Sequence, residues 1–118
     1  MAVTDYTRSP QGQPVDLGQV DWDASCNTAA TTTARMDITG FSTGSLRVPN
    51  GSSITAITWY ASASNTDTAV ALKDSGGTAV TQTVAADEAH ATPAALAGCK
   101  YVLPVTDAAG TLHFHWER

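Results

Sequence analysis

Short segments in which apolar and polar residues alternate are spread along the chain from residue 34 onward. Residues 35–39 and 45–48 place apolar side chains, such as Met36 and Leu46, at every second position. In residues 111–117 the apolar side chains share one parity, whereas Thr, His and Glu occupy the other. A period of two is typical of β-strands with one buried and one solvated face. Amphipathic helical segments of useful length are missing, so the pattern predicts an all-β protein.

Residues that favour turns separate the predicted strands. Residues 49–52, Pro-Asn-Gly-Ser, predict a tight turn, because Asn-Gly tolerates the positive φ angles that such turns require. Residues 74–77, Asp-Ser-Gly-Gly, predict a hairpin between a strand at 70–73 and a return strand at 80–84. In the connection 85–98, Pro93 and Gly98 bracket one predicted helical turn. A strand at 100–105 then leads to the last strand.

Together these segments predict about seven or eight strands in an antiparallel β-sandwich of the jelly-roll type. We assign this domain to residues 33–118. Residues 1–32 contain Pro10, Pro14 and polar runs with no usable period. They predict an irregular, extended N-terminal arm with at most one short strand, near residues 15–20.

The segment 53–62, SITAITWYAS, is apolar on both faces, which a strand with one wet face does not explain. Residues 99–105 share this property. A β-bulge that shifts the parity midway, or a loop lying over the sheet, accounts for the pattern within one chain. Alternatively, a neighbouring subunit covers the second face. On that alternative the candidate interface residues are Ile57, Trp59, Tyr60 and Val102.

The composition is that of an acidic protein with few charged residues, and the length is that of one domain. The chain has 118 residues, a formal charge of -5 and only 6 Lys and Arg, which argues against nucleic acid or an anionic membrane as a partner. Charged residues make up 14% of the chain, so Thr, Ser and Ala must form much of the surface. Such a surface can pack against copies of itself or against a neighbouring protein without desolvating many charges, which favours a subunit of an assembly, such as a homo-oligomer.

The chain carries no pattern of an export signal or a membrane span. Its first ten residues, MAVTDYTRSP, have no apolar stretch after a basic start, so no signal peptide is expected. No apolar run has the length needed to cross a bilayer. Cys26 and Cys99 could form one bridge, but without an export signal we expect them to be reduced.

Several motifs resemble parts of catalytic or metal-binding sites, but a purely structural role is favoured for each. Residues 40–44 match G-x-S-x-G, yet the next residues predict a strand rather than the helix that a nucleophile elbow needs. Residues 21–25 begin like a calcium loop, but Cys26 occupies the position of the sharp-turn glycine. His113 and His115 lie on one face of a strand about 7 Å apart by strand rise, and His90 could approach them. We interpret them as solvent-facing, and predict no catalytic residue, no cofactor and no metal, hence no enzyme.

The aromatic residues allow a different function. A platform of exposed aromatic side chains could stack on sugar rings, as in carbohydrate-binding modules. A glycan ligand is therefore the alternative, although most tryptophans of a sandwich belong to its core. The aromatic residues in question are Trp22, Trp59, Trp116, Tyr60 and Tyr101.

Four segments of the sequence resemble segments of small proteins encoded among the structural genes of tailed phages and prophages. They are residues 46–62, LRVPNGSSITAITWYAS; 70–80, VALKDSGGTAV; 93–98, PAALAG; and 107–111, DAAGT. The resemblance implies a virion-associated accessory protein, such as a head decoration protein, with a β-sandwich core. It also implies synthesis in the host cytoplasm and binding to the capsid or to its own copies around a symmetry axis, with residues 1–32 lying across a neighbour.

Overall fold

The computed structural model describes residues 18–31 and 33–118, and nearly half of these residues lie in nine β-strands. A single 3-10 turn, Ala94–Leu96, lies between the seventh and eighth strands. The strands are β1 (Gln19–Cys26), β2 (Met36–Asp37), β3 (Thr43–Val48), β4 (Ala56–Ser62), β5 (Val70–Ala71), β6 (Thr81–Thr83), β7 (Glu88–Ala91), β8 (Tyr101–Thr106) and β9 (Gly110–Glu117).

The strands form two antiparallel sheets with nested pairing. The four-stranded sheet has the order β1-β9-β3-β7, and the five-stranded sheet has the order β2-β8-β4-β5, with β6 also paired to β4. The first strand therefore pairs with the last, the second with the second last, and the third with β7. This nesting is that of a jelly roll. The predicted all-β, antiparallel sandwich is confirmed.

The core lies between the two sheets and centres on three aromatic rings. Trp59 of β4 meets Phe114 and Trp116 of β9 edge-on, with ring centroids 5.7 and 6.5 Å apart, while the latter two stack at 5.9 Å. Trp59 also donates a hydrogen bond from Nε1 to Oε1 of Gln82 at 2.9 Å. Edge-to-face and offset rings are favoured arrangements of aromatic pairs. Aliphatic side chains from both sheets surround this cluster, among them Ile38, Leu46, Val48, Ile54, Ile57, Val102 and Leu112.

The predicted N-terminal arm lies only partly in the described part of the chain. Residues 1–17 and 32 are not described, whereas Gln19–Cys26 form β1 and pair with β9 along its whole length. The sandwich therefore begins before residue 33. Of the strand predicted near residues 15–20, residues 19 and 20 belong to β1, and residues 15–17 lie outside the described part of the chain. Val20, Trp22, Ala24 and Cys26 alternate towards the core. This alternation of period two directly follows a segment with prolines and glycines, which predicts irregular structure.

The strand count exceeds the prediction because β7 lies within the predicted connection 85–98. Its sequence, Glu-Ala-His-Ala, has no apolar alternation, since β7 is an edge strand that pairs only with β3. The helical turn predicted for residues 93–98 is confirmed as a 3-10 turn. It is followed by Gly98 at a φ of 89°, a left-handed conformation that glycine adopts without strain.

The predicted hairpin at residues 70–84 is shorter than expected. β5 and β6 do not pair with each other but lie one after the other along β4. Between them the chain leaves the sheet as a small hairpin closed by the Lys73–Ala79 bridge. Asp74 stabilises its turn, because Oδ1 accepts hydrogen bonds from the amides of Gly76 and Thr78 at 2.9 and 3.0 Å.

A parity shift just before β4 explains most of the doubly apolar segment 53–62. Ile54, Ile57 and Trp59 are all fully buried, whereas Thr55 and Ala56 are both exposed. The inward parity therefore changes by one residue between Ile54 and Ile57, as the bulge interpretation expected. Asp107 holds this irregular backbone.

The Asp107 carboxylate accepts three hydrogen bonds at the parity shift. Oδ1 accepts from the amides of Thr55 and Ala56 at 2.9 and 3.2 Å, and Oδ2 accepts from the Thr55 hydroxyl. The hydroxyl bond, followed by the Thr55 amide, lowers the pKa of Asp107 below its ordinary value of 3.8. Bonds to the charged form stabilise the folded state only while the carboxylate is ionised.

We expect Asp107→Asn to destabilise the protein at neutral pH, because an amide oxygen accepts less strongly than a carboxylate. Because the pKa of Asp107 is lowered in the folded state, its ionised carboxylate contributes fully to stability above the unfolded pKa of 3.8. This contribution is lost as the pH falls through the lower pKa of the folded state. The difference in free energy of unfolding between wild type and variant should therefore shrink below pH 3.8. Denaturant titrations at a series of pH values measure it. A constant difference would contradict the assignment, and Asp67→Asn, in an exposed loop, is the control.

Candidate functional site

The outer face of the four-stranded sheet carries two rows of polar side chains. The strand register places Asp21 of β1, His115 of β9 and Ser45 of β3 side by side in one row. In the next row it places Asp23, His113 and Arg47. Residues directly opposite one another in antiparallel strands share a face of the sheet. The two histidines and two aspartates of widely separated strands are thus brought together.

Each imidazole of these rows is held by a carboxylate. Nδ1 of His113 lies 2.6 Å from Oδ1 of Asp23, and Nδ1 of His115 lies 2.6 Å from Oδ1 of Asp21. A carboxylate only accepts, so the ring proton resides on Nδ1 and each neutral ring presents Nε2 as an acceptor. Nε2 of His115 lies 3.6 Å from Oε2 of Glu117 on the same strand.

An open groove of about 380 Å³ runs over these rows. Its volume is at the low end of that of ligand sites in proteins. Within it, Arg47 of β3 is the one lining residue of fixed positive charge, and β9 separates it from Asp21 and Asp23 on β1. The groove is lined by Asp21, Asp23, Ser45, Leu46, Arg47, Ala89, His113, Phe114 and His115.

The third histidine does not join this site. His90 of β7 lies opposite the buried Leu46 in the register, so it has the parity of the other side of the sheet. Its Nε2 makes a 2.8 Å contact with Oε1 of Glu88. Across residues 18–31 and 33–118, no group of three or more His, Cys, Asp or Glu side chains is arranged to hold a metal.

The other two chemical motifs lie in ordinary β-structure. In the G-x-S-x-G segment, β3 begins at Thr43 and no helix follows, so Ser42 is not at a nucleophile elbow. The segment proposed to begin like a calcium loop belongs to the regular strand β1, in which Asp21 and Asp23 point to the same face.

The outer face of the five-stranded sheet, in contrast, has Asp37 of the edge strand β2 opposite Tyr101, but its strands β4, β6 and β8 turn no charged side chain outward. We call the outward side chains of β4, β6 and β8 the neutral face. Pairs such as Thr58–Thr81, Thr58–Val105 and Tyr60–Leu103 lie directly opposite each other on it. The neutral face consists of Ala56, Thr58, Tyr60, Ser62, Thr81, Thr83, Tyr101, Leu103 and Val105.

One margin of the neutral face is covered from within the chain. Arg35 Nη1 donates hydrogen bonds to Ser62 Oγ at 2.9 Å and to the carbonyls of Ser64 and Asp67 at 2.6 and 2.9 Å. These bonds hold the loop 63–69 against the end of β4. Leu103, outside the core cluster, is only 1% exposed.

Three of the four candidate interface residues are in the core instead. Ile57, Trp59 and Val102 are 0% exposed and lie between the sheets, so no partner can reach them in the folded chain. Tyr60 alone lies on the neutral face, where it is half-buried. For Ile57 and Trp59 the inward position follows from the parity shift at Thr55, which the sequence pattern does not locate.

The tryptophans do not form a platform for sugars. Trp59 and Trp116 are 0% and 2% exposed, and Trp22 packs against the core from β1. The aromatic side chains that remain on an outer face are Tyr60 and Tyr101, both half-buried. Two of the three tryptophans are thus buried and the third is half-buried.

Both cysteines are free, as expected from the sequence. Burial raises the pKa of Cys26 to about 12, and burial also raises the pKa of the half-buried Cys99. The thiolate is the reactive form of cysteine, and burial disfavours that form at both positions.

Comparison with known proteins assigns the chain to no family. No family model matches it, and neither a curated protein nor a solved structure is similar to it. Among the described residues, no helix has the length and apolar character needed to cross a membrane.

Proposed function

We propose that this protein is a non-enzymatic structural subunit that associates with copies of itself through the neutral face. The observation that carries the proposal is the composition of that face: β4, β6 and β8 present accessible Thr, Ser, Ala, Tyr and Val side chains outward, and no charged side chain. Threonine and tyrosine hydroxyls both donate and accept hydrogen bonds, so two such faces can pair without leaving polar groups unsatisfied.

The distribution of charge favours a second copy as the occupant. The chain carries a formal charge of -5, so two copies repel each other at long range. The opposite outer face exposes Asp21, Asp23 and Glu117, and contact there would place like charges together. Contact through the neutral face desolvates no formal charge of these strands and keeps the carboxylates apart, which lowers the cost of association.

A virion is the proposed setting of this assembly. The resemblance of residues 46–62, 70–80, 93–98 and 107–111 to small structural proteins of tailed phages supports it. The jelly roll is an architecture of viral capsid domains and also of lectins, so the fold alone does not choose between them. The burial of Trp59 and Trp116 weakens the carbohydrate-binding alternative. We therefore propose a capsid decoration protein or similar surface component, rather than a glycan-binding module.

We expect two lysines on the neutral face to disrupt self-association. Thr81 and Thr83 are exposed on β6, and the double variant Thr81→Lys/Thr83→Lys places cations that would be buried in the contact. Thr43 and Thr111 are equally exposed on the outer face of the other sheet. Thr43→Lys/Thr111→Lys is thus a control with the same change of charge. Light scattering behind a sizing column should give a smaller mass for the first variant only.

Circular dichroism should show that both double variants fold. Equal masses for wild type and both variants would contradict the assignment of the neutral face. A loss of mass confined to Thr43→Lys/Thr111→Lys would place the contact on the four-stranded sheet instead.

A further inference from the structure

Each of the three histidines in the described chain lies near a carboxylate. Only at His115 does a carboxylate oxygen lie near Nε2 without being within hydrogen-bond distance of it. Nε2 of His115 and Oε2 of Glu117 are 3.6 Å apart, which is too long for a good hydrogen bond. Two ligands of a tetrahedral zinc ion, each about 2.1 Å from the metal, are separated by about 3.4 Å. The separation of Nε2 and Oε2 therefore nearly equals one edge of such a tetrahedron.

We propose that Nε2 of His115 and Oε2 of Glu117 bind a divalent transition-metal ion, with Asp21 orienting the imidazole. Asp21 Oδ1 accepts the Nδ1 proton of His115 at 2.6 Å, which leaves the Nε2 lone pair for the metal. A metal-bound histidine usually gives its other ring proton to a carboxylate in this way. The further ligands of the ion are water, because His115 and Glu117 are 35% and 58% exposed in their side chains.

The ligand types select the class of ion. An imidazole nitrogen with a carboxylate oxygen suits zinc, copper or nickel, whereas magnesium and calcium prefer oxygen ligands alone. The local charge also favours a cation, since Asp21, Asp23 and Glu117 outnumber Arg47 on this face. With two protein ligands the site differs from one enclosed by three or four side chains, and we expect binding to be reversible and removed by a chelator.

His113 and His90 provide internal comparisons. His113 lies on the same strand as His115, has the same side-chain exposure and is likewise bonded to an aspartate through Nδ1. Unlike His115, it has an ion pair in the described structure only at Nδ1 and not at Nε2. His90 has a carboxylate at Nε2, yet Glu88 lies at 2.8 Å, a hydrogen-bond distance that leaves no room for an ion. If exposure or proximity to a carboxylate were sufficient, all three histidines would bind metal alike.

Titration of the full chain with zinc chloride tests the site. In long-range nitrogen–proton spectra, the Nε2 resonance of His115 should shift, while those of His113 and His90 should not. By calorimetry, His115→Ala and Glu117→Gln should each weaken zinc binding at least about tenfold, and Asp21→Asn about 10- to 100-fold. His113→Ala and His90→Ala should leave the affinity within about twofold, and magnesium chloride should shift none of the resonances.

An unshifted His115 resonance at saturating zinc would overturn the proposal. So would equal losses for His113→Ala and His115→Ala, which would indicate unspecific binding to exposed imidazoles. Circular dichroism of each variant excludes unfolding as the cause of a loss. The neutral face lies on the other sheet, so failure of zinc binding and failure of self-association are distinguishable.

Discussion

Replacing Trp59 by alanine should lower the free energy of unfolding by about 3–5 kcal/mol. The side chain is fully buried and touches both Phe114 and Trp116 of the opposite sheet, so its removal leaves a cavity at the centre of the sandwich. The variant also leaves Oε1 of Gln82 without the 2.9 Å bond from Nε1 of the indole. The cost therefore combines lost transfer energy, lost ring contacts and an unpaired acceptor.

Urea titration of Trp59→Ala beside Tyr60→Ala measures this effect. Tyr60 is the next residue on the same strand, but it lies on the neutral face and outside the core cluster. Its replacement should cost clearly less than that of Trp59 in the isolated subunit. If Trp59→Ala cost under about 1 kcal/mol, as surface substitutions do, the inward position of Trp59 would be contradicted.

Gly44→Ala should lower the free energy of unfolding by about 1–3 kcal/mol through overpacking. A Cβ atom at Gly44 would lie 2.7 Å from Cζ3 of Trp116, closer still to Cε3, and 3.0 Å from the carbonyl oxygen of His115. Trp116 is 2% exposed and stacked on Phe114, so the ring cannot move aside without disturbing the aromatic cluster. Glycine at this position of β3 thus permits close packing of the ring against the strand.

Gly76→Ala is the matched control for this second prediction. Its Cβ would have only ordinary contact, at 3.4 Å from Oδ1 of Asp74, and its φ is not left-handed. Replacing such a glycine normally changes stability little or raises it by up to about 1 kcal/mol, because the unfolded chain loses freedom. Thermal or urea unfolding should therefore show a lower free energy of unfolding than wild type for Gly44→Ala, and an equal or higher one for Gly76→Ala. A Gly44→Ala protein as stable as wild type would contradict the packing of Trp116.

The strands with one apolar face could be predicted from the sequence. In β9 and β3 the alternation of buried and exposed side chains agrees with the predicted period of two. The turn at residues 49–52 also agrees: Gly51 has a φ of 83°, and the Ser52 amide donates to the Pro49 carbonyl at 3.3 Å. These features depend on near neighbours in the chain, and hence the local pattern contains them.

Features that depend on distant residues could not be predicted in the same way. The parity shift at Thr55 requires the carboxylate of Asp107, a residue in the turn before β9. The edge strand β7 is specified by its pairing with β3, not by its own apolar pattern. Likewise, Asp21 and Asp23 meet His115 and His113 only because β1 and β9, the two ends of the described chain, pair in one register. The sequence shows the D-x-D and H-x-H patterns but not their alignment.

The absolute mass of the full chain in solution tests the proposed self-association most directly. Light scattering over a range of protein concentrations, with and without a chelator, should give a closed oligomer, a whole multiple of 12.2 kDa. The chelator should not change this mass, because the neutral face lies on the sheet opposite His115. A mass of 12.2 kDa at every concentration would contradict association with copies of itself.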